Sequence, residues 1–285
     1  MSLSRPALRL AAVAAAALAL TLTGCAQSGA PASSDSSTPA AEDYVTPGKL
    51  TVATGDIAYE PYVINDKPES GEGFEAALAY AVADKLGFAA EDVVWVRTSF
   101  EAAIAPGPKS FDINLQQYTI TDERKQAVDF SSPYYSASQA VVALKGSAAE
   151  GVDSIDGLKK LKLGAMAGST SAQTIEEVVQ PSVEPGLYGS NEDAVAALNA
   201  NQIDALVIDL PTAYAATTAY IDNSFTVGEL PAGGVPDQWG ILLPKDSPLT
   251  ASVTAAVDEL REDGTLDQLT EEWLGVLHEG VPLLQ

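Results

Sequence analysis

From Lys49 onward the sequence alternates short β-rich runs with amphipathic helical stretches, and this alternation limits the folds open to the chain more than any other feature. Residues 49–54 (KLTVAT), 93–96 (VVWV) and 111–115 read as strands, the last preceded by a Pro-Gly-Pro turn at 106–108. Between the first two, Phe74, Leu78, Val82 and Leu86 share one stripe of a helix that Gly87 stops. The fully apolar run 140–144 (AVVAL) suits a buried or crossing strand. The pattern then repeats, with strands at 161–165 and 205–208 and a helix over 171–179 stopped by Pro181. Ser190 caps a helix reaching Ala200, with Asp193 completing a capping box, and another helix opens at Pro211. Ser247-Pro248 starts a helix through Glu262, and Thr265 caps a last one that contains Trp273. Such alternation predicts an α/β architecture of parallel sheets covered on both faces, with ligands bound at the carboxyl ends of strands.

The single cysteine, Cys25, stands directly behind an apolar leader. Arg5 and Arg9 give the leader a positive start, and residues 10–22 are nearly all Ala, Leu and Val, too short a run to span a membrane. Leu22-Thr23-Gly24-Cys25 resembles the bacterial lipobox, after which the leader is cut and the cysteine acylated; the plainer reading is a signal peptide with an incidental cysteine. Lipid on Cys25 would anchor the protein to the outer face of the cell membrane. Residues 1–24 then form the signal peptide and 25–44 the lipidated cysteine with a flexible tether, small, polar and proline-containing. No disulfide framework is possible, so the fold rests on its core. With 39 acidic against 15 basic residues and a formal net charge of −24, the surface repels phosphate backbones, which excludes nucleic acid as a partner. One histidine and no further cysteine argue against a zinc or copper site, and no cofactor is expected.

Four strand-to-helix junctions carry groups suited to chemistry. Residues 55–62 (GDIAYEPY) follow the first strand and offer Tyr59 and Tyr62 on a proline-bent loop. In 117–124 (QYTITDER), Thr121 reads as an N-cap with Asp122 and Glu123 in the first helical turn. Arg124 opposes the helix dipole there, which makes sense beside an anion; the alternative is a solvated arginine paired with Asp122 or Glu123. Gly168-Ser169-Thr170 opens a helix with free N–H groups and two hydroxyls, either an ordinary cap or an anion site. Asp209 closes the apolar run 205–208, where it is either the N-cap of the helix at Pro211 or a ligand group.

Taken in order, these junctions resemble the bacterial extracellular solute-binding proteins of family 3, the amino-acid receptors of ABC importers. The likeness is carried mainly by residues 111–135 (FDINLQQYTITDERKQAVDFSSPYY), which match that family's S/T-I-T-x-x-R followed by V-D-F-S-x-P-Y-Y. The resemblance implies a two-lobed, type II periplasmic-binding-protein-like fold, each lobe a mixed sheet flanked by helices, with a two-strand hinge. Lobe 1 would comprise residues 45–138 plus 236–285, and lobe 2 residues 139–235. It further implies that Arg124 holds the α-carboxylate of a free amino acid, joined by Ser169 and Thr170 from the other lobe. Asp209 would accept from the α-ammonium, Thr119 would add its hydroxyl or carbonyl, and Tyr59 and Phe100 would enclose the side chain. Gln117 and Gln116 stand where the family usually has small residues, and a long amide there would intrude on the pocket or bond the ligand. Glu75-Ala76-Ala77 also departs from a more acidic family pattern.

The function so implied is a lipid-anchored, monomeric receptor that delivers an amino acid to an ABC permease. Two other functions share the fold: a sensor presenting its loaded form to a membrane signalling partner, and a secreted cyclohexadienyl-type dehydratase. An enzyme would need a general acid beside the substrate, and with His278 on the terminal segment and Asp209 engaged by the ammonium no acid–base pair is evident.

Overall fold

A computed structural model describes residues 40–233, 237–275 and 280–285; Cys25 with its leader, and His278, lie outside the described residues. Ten strands are described: β1 (Leu50–Thr54), β2 (Val93–Arg97), β3 (Ile113–Asn114), β4 (Val128–Ala137), β5 (Gln139–Leu144), β6 (Leu163–Met166), β7 (Gly186–Tyr188), β8 (Ala205–Asp209), β9 (Ser224–Glu229) and β10 (Asp237–Pro244). They form two five-stranded sheets, ordered β2-β1-β3-β10-β4 and β7-β6-β8-β5-β9. The sheets are mixed: β10 and β5, each fourth in its order, run antiparallel to both neighbours. The parallel sheets expected from alternation alone are corrected on this point, because both strands enter from the opposite sheet rather than through a crossover helix. The chain leaves the first sheet after Ala137, enters the second at Gln139, and returns between Glu229 and Asp237.

Helices α1 (Phe74–Lys85) and α2 (Phe100–Ile104) lie in the first half, followed by α3 (Ile155–Leu158), α4 (Thr170–Thr174), α5 (Asn191–Asn199) and α6 (Leu210–Ala215). The chain closes with α7 (Thr250–Glu262) and α8 (Thr265–Leu274). The stripe read from the sequence is the buried face of α1: Phe74, Leu78 and Val82 are fully buried against β1, β3 and β10 with α7 and α8. Each such side chain contributes roughly 1.5–3 kcal/mol. Helices α4 and α6 each run on into a π-helical turn, Ile175–Val179 and Ala216–Tyr220.

Several local expectations shift. Helix α7 begins at Thr250, the preceding residues forming a turn, and the N-terminus of α8 is satisfied by Asp263, whose carboxylate accepts from Thr265 N and Oγ1, rather than by Thr265. Ser190 caps α5 as expected, its Oγ accepting from Asp193 N at 3.1 Å. Tyr44, placed in the tether by the sequence, packs on Phe88 with ring centroids 5.0 Å apart. Residues 281–285, grouped with lobe 1 above, instead join the second sheet: Glu229 bridges Leu283, and Leu284 is buried in that half's core. A short apolar pair, Leu283-Leu284, gives the sequence no signal of which half it completes.

Gly73 precedes α1 at φ 106°, and a Cβ there would stand 2.5 Å from the carbonyl oxygen of Tyr62. This close approach seats Tyr62 over Trp239 at 5.6 Å between ring centroids. Gly73→Ala is expected to destabilise the fold by about 2–4 kcal/mol through backbone strain and overpacking, read as a lower denaturant midpoint at unchanged slope.

Candidate functional site

All eight residues singled out in the sequence as ligand-binding, Tyr59, Phe100, Gln117, Thr119, Arg124, Ser169, Thr170 and Asp209, line one cavity of about 120 Å³ between the two sheets. Tyr59 lies on the loop after β1, Phe100 opens α2, and Gln117, Thr119 and Arg124 follow β3. Ser169 and Thr170 follow β6, and Asp209 ends β8. The site is thus built at the carboxyl ends of β1, β3, β6 and β8, where α/β sheets present their loops.

Thr121 Oγ1 accepts from Arg124 N at 3.1 Å, but no helix follows it: the element there is a single 3₁₀ turn, Arg124–Gln126, whose N-cap residue is Glu123 rather than Thr121. The turn directs the guanidinium inward, and Arg124 is only 8 % exposed. It donates to Thr119 O at 2.8 Å and, across the cleft, to Gly168 O at 2.9 Å. It also lies 5.3 Å from the centroid of Phe100, which stacks on Tyr118 at 4.7 Å. The reading of Arg124 as a solvated partner of Asp122 or Glu123 is therefore overturned. Burial pulls its pKa down, but a guanidinium stays charged.

From the other half, Ser169 caps α4, accepting from Ala172 N at 3.2 Å. The hydroxyl of Thr170 meets that of Thr119 at 3.2 Å. Asp209 stands at the N-cap position of α6 without making a side-chain cap; its carboxylate accepts from Gln139 Nε2 at 2.5 Å. Gln139 and Asp209 are directly opposed in the β5–β8 ladder, which puts both side chains on one face. Loss of water and the neighbouring Asp237 carboxylate push the Asp209 pKa well up.

Sequence reasoning missed five groups, Gln139 among them. Asp237, at the start of β10, accepts from Thr119 Oγ1 and Gln139 Nε2. Thr212 and Tyr220 bridge the halves, with Tyr62 and Thr212 hydroxyls 2.9 Å apart and Tyr220 Oη accepting from Glu60 N at 3.3 Å. Glu75, noted only as a departure from pattern, accepts from Gln117 N at 2.8 Å and from Gln117 Nε2 and Tyr134 Oη. It holds Gln117 in the left-handed region at φ 52°, so the glutamine amide is tied into the wall instead of projecting freely. Gln116 is likewise occupied, accepting from Tyr118 Oη at 2.8 Å. The signal available for Asp237 and Gln139 was a polar residue heading an apolar strand.

With this geometry, residues 50–276 match the bacterial extracellular solute-binding proteins, family 3. The chain belongs to that family. Its relatives include the L-arginine-binding protein of Pseudomonas aeruginosa, 29% identical over 76% of this chain and 85% of that protein. The L-cystine-binding protein TcyJ of Escherichia coli is 29% identical over 76% of this chain and 79% of its own length. Among solved structures, an ancestral arginine-binding protein bound to arginine superposes with a TM-score of 0.67 at 34% identity, covering 80% of this chain and 99% of that one. These neighbours share the two-lobed type II fold, and the curated relatives are named as binding proteins. As a family 3 member the chain is an extracytoplasmic solute-binding protein, and among the described residues no helix is long and apolar enough to cross a membrane.

Glu75 is 1 % exposed, and burial pushes its pKa from 4.5 up to about 7 despite its three donors. Between those values the folded protein holds a proton that the unfolded chain has released, so this group's contribution to stability falls as pH rises. Stability of Glu75→Gln relative to the natural protein is expected to increase by about 2–3 kcal/mol between pH 5 and pH 8, measured by chemical denaturation at each pH.

Proposed function

We propose that this chain is a lipid-anchored receptor, held outside the cytoplasm by an acylated Cys25, that binds one free amino acid in the cleft and delivers it to an ABC permease. The observation that carries the reading is that Arg124 from one half and Asp209 from the other line the same small cavity. A free amino acid is a zwitterion, and taking it out of water requires a partner for each charge. Arg124 supplies a guanidinium fork for the α-carboxylate, with the hydroxyls of Thr119 and Thr170 beside it. Asp209 accepts from the α-ammonium, and Tyr59 and Phe100 wall the side chain. Each bond to a charged group is worth roughly 1.5–3 kcal/mol. A few of them, less ordering costs, give about −8 kcal/mol, or micromolar affinity.

The relatives named for arginine, cystine, histidine and glutamine support an amino acid as the ligand. The other charged side chains lining the cavity, Asp56 and Glu192, are both acids, which favours a polar or cationic side chain over an acidic one. We assign residues 45–138 with β10, α7 and α8 to one lobe and 139–235 to the other, so that a ligand touching both favours closure about the two crossings. A monomer suffices, because one chain supplies both charged partners. Turnover has no support, since the ionisable groups in the cavity are committed to holding the ligand's charges or flanking its side chain.

Thermal-shift screening of the twenty amino acids tests this. At a hundredfold excess over Kd, a bound ligand adds about 2.7 kcal/mol and raises Tm by about 5–10 °C. At least one polar or cationic amino acid is expected to do so, with no response to aspartate or glutamate. Arg124→Ala abolishes the shift and Lys159→Ala, on a distant exposed pair, preserves it; an undiminished shift in Arg124→Ala defeats the reading.

A further inference from the structure

Asp237 heads the strand that returns to the first sheet, where it opposes Ala137, one residue before the outgoing crossing. Backbone pairing of Thr119 with Trp239, and of Ile120 N with Gln238 O, brings the loop that carries Thr119 alongside it. Its carboxylate gathers groups from both halves: it accepts from Thr119 Oγ1, lies 3.5 Å from Thr170 Oγ1, and accepts from Gln139 Nε2. Gln139 donates the same amide nitrogen to Asp209 at 2.5 Å, so one neutral amide bridges two carboxylates. Gln139 is 6 % exposed and its Oε1 has no partner. The two acids are thus held together at the cleft end of the crossing strands, each part-buried, with an unpaired acceptor beside them. The titratable and charged groups facing the pair are Arg124, from the 3₁₀ turn, Tyr62, from the loop after β1, and Tyr135 on β4. Arg124 donates to Thr119 O and Gly168 O rather than to either acid, though its charge acts on both, and neither tyrosine is cationic.

Two carboxylates bridged by one neutral amide repel each other, and a proton or a cation between them relieves that repulsion. We propose that Asp237 is the second carboxylate of the ammonium site, and that Asp209 and Asp237 share one proton which leaves when the ligand's α-ammonium enters. The exchange balances: the shared O–H bond breaks, its proton goes to water, and N–H···O bonds from the ammonium take its place. This deepens the receptor reading and rests on it. It also separates the two ends of the ligand, since the carboxylate end meets Arg124, a group that does not titrate in the working range.

Isothermal titration with L-arginine, and with L-glutamine as second probe, in buffers of differing ionisation enthalpy counts the protons. At a pH where the free pair still holds its proton, about one proton is expected to be released per ligand, with Kd falling about tenfold per pH unit until that proton is lost. Asp237→Asn is expected to release none, to show a flat Kd profile, and to bind at least tenfold more weakly at pH 8. Binding without proton release in the natural protein overturns the inference and leaves the receptor reading standing; that measurement needs no variant and decides the matter if Asp237→Asn does not fold. Equal proton release from Asp237→Asn also overturns it. Failure of every amino acid to bind sinks the receptor reading, and this one with it.

Discussion

A guanidinium buried as deeply as that of Arg124 must find acceptors or cost several kcal/mol, and the way it finds them organises the molecule. One acceptor, Thr119 O, comes from its own half, and the other, Gly168 O, from across the cleft. The cation is therefore a tie between the two sheets as well as a binding group. Carbonyl oxygens are modest partners for it, because charge-assisted bonds to a carboxylate are roughly twice as strong as neutral ones and an arginine fork fits a carboxylate bidentately. A site built this way is stable on its own account and still prefers an anionic guest. Phe100, itself stacked on Tyr118, packs against the guanidinium.

The two sheets repeat one strand order, and the repetition explains why partners for opposite charges face each other. In each sheet three parallel strands end at the cleft, and the fourth strand is the antiparallel arrival from the other half. Parallel strand ends supply loops, which carry Arg124, Thr170 and Asp209. Arriving strands supply their first residues, Gln139 and Asp237, at the seam. A group at the seam touches both halves whatever their angle, which is the position from which a ligand contact can be coupled to the crossing strands themselves.

Much of this was legible in the sequence because it rests on local rules. The α1 stripe, the buried run 140–144, the Ser190 cap and the strand-end positions of Arg124 and Asp209 all follow from periodicity and turn chemistry, and the eight expected residues do share a cavity. What escaped depends on long-range pairing. Strand β10 was not anticipated, so Asp237 had no address; its place follows from register with β4 and from the bridge between Thr119 and Trp239. Direction within the sheets escaped for the same reason, as local alternation carries no information about which sheet a strand enters. The tail at Leu283-Leu284 is an extreme case, two apolar residues whose destination is set by Glu229, more than fifty positions away.

Gln117 shows how the site departs from those local rules. A non-glycine residue in the left-handed region is strained, and a buried carboxylate is costly, yet the two occur together. Glu75 takes both the backbone N–H and the side-chain amide of Gln117, so the strained backbone leaves no unsatisfied donor, while Tyr134 supplies the third bond. Neither residue would be stable there without the other, and an apolar residue at position 75 would free Gln117 to relax toward the cavity. The cost of burying Glu75 therefore buys rigidity in the wall next to Arg124, where a shift of an ångström would separate the fork from the groups it must serve together.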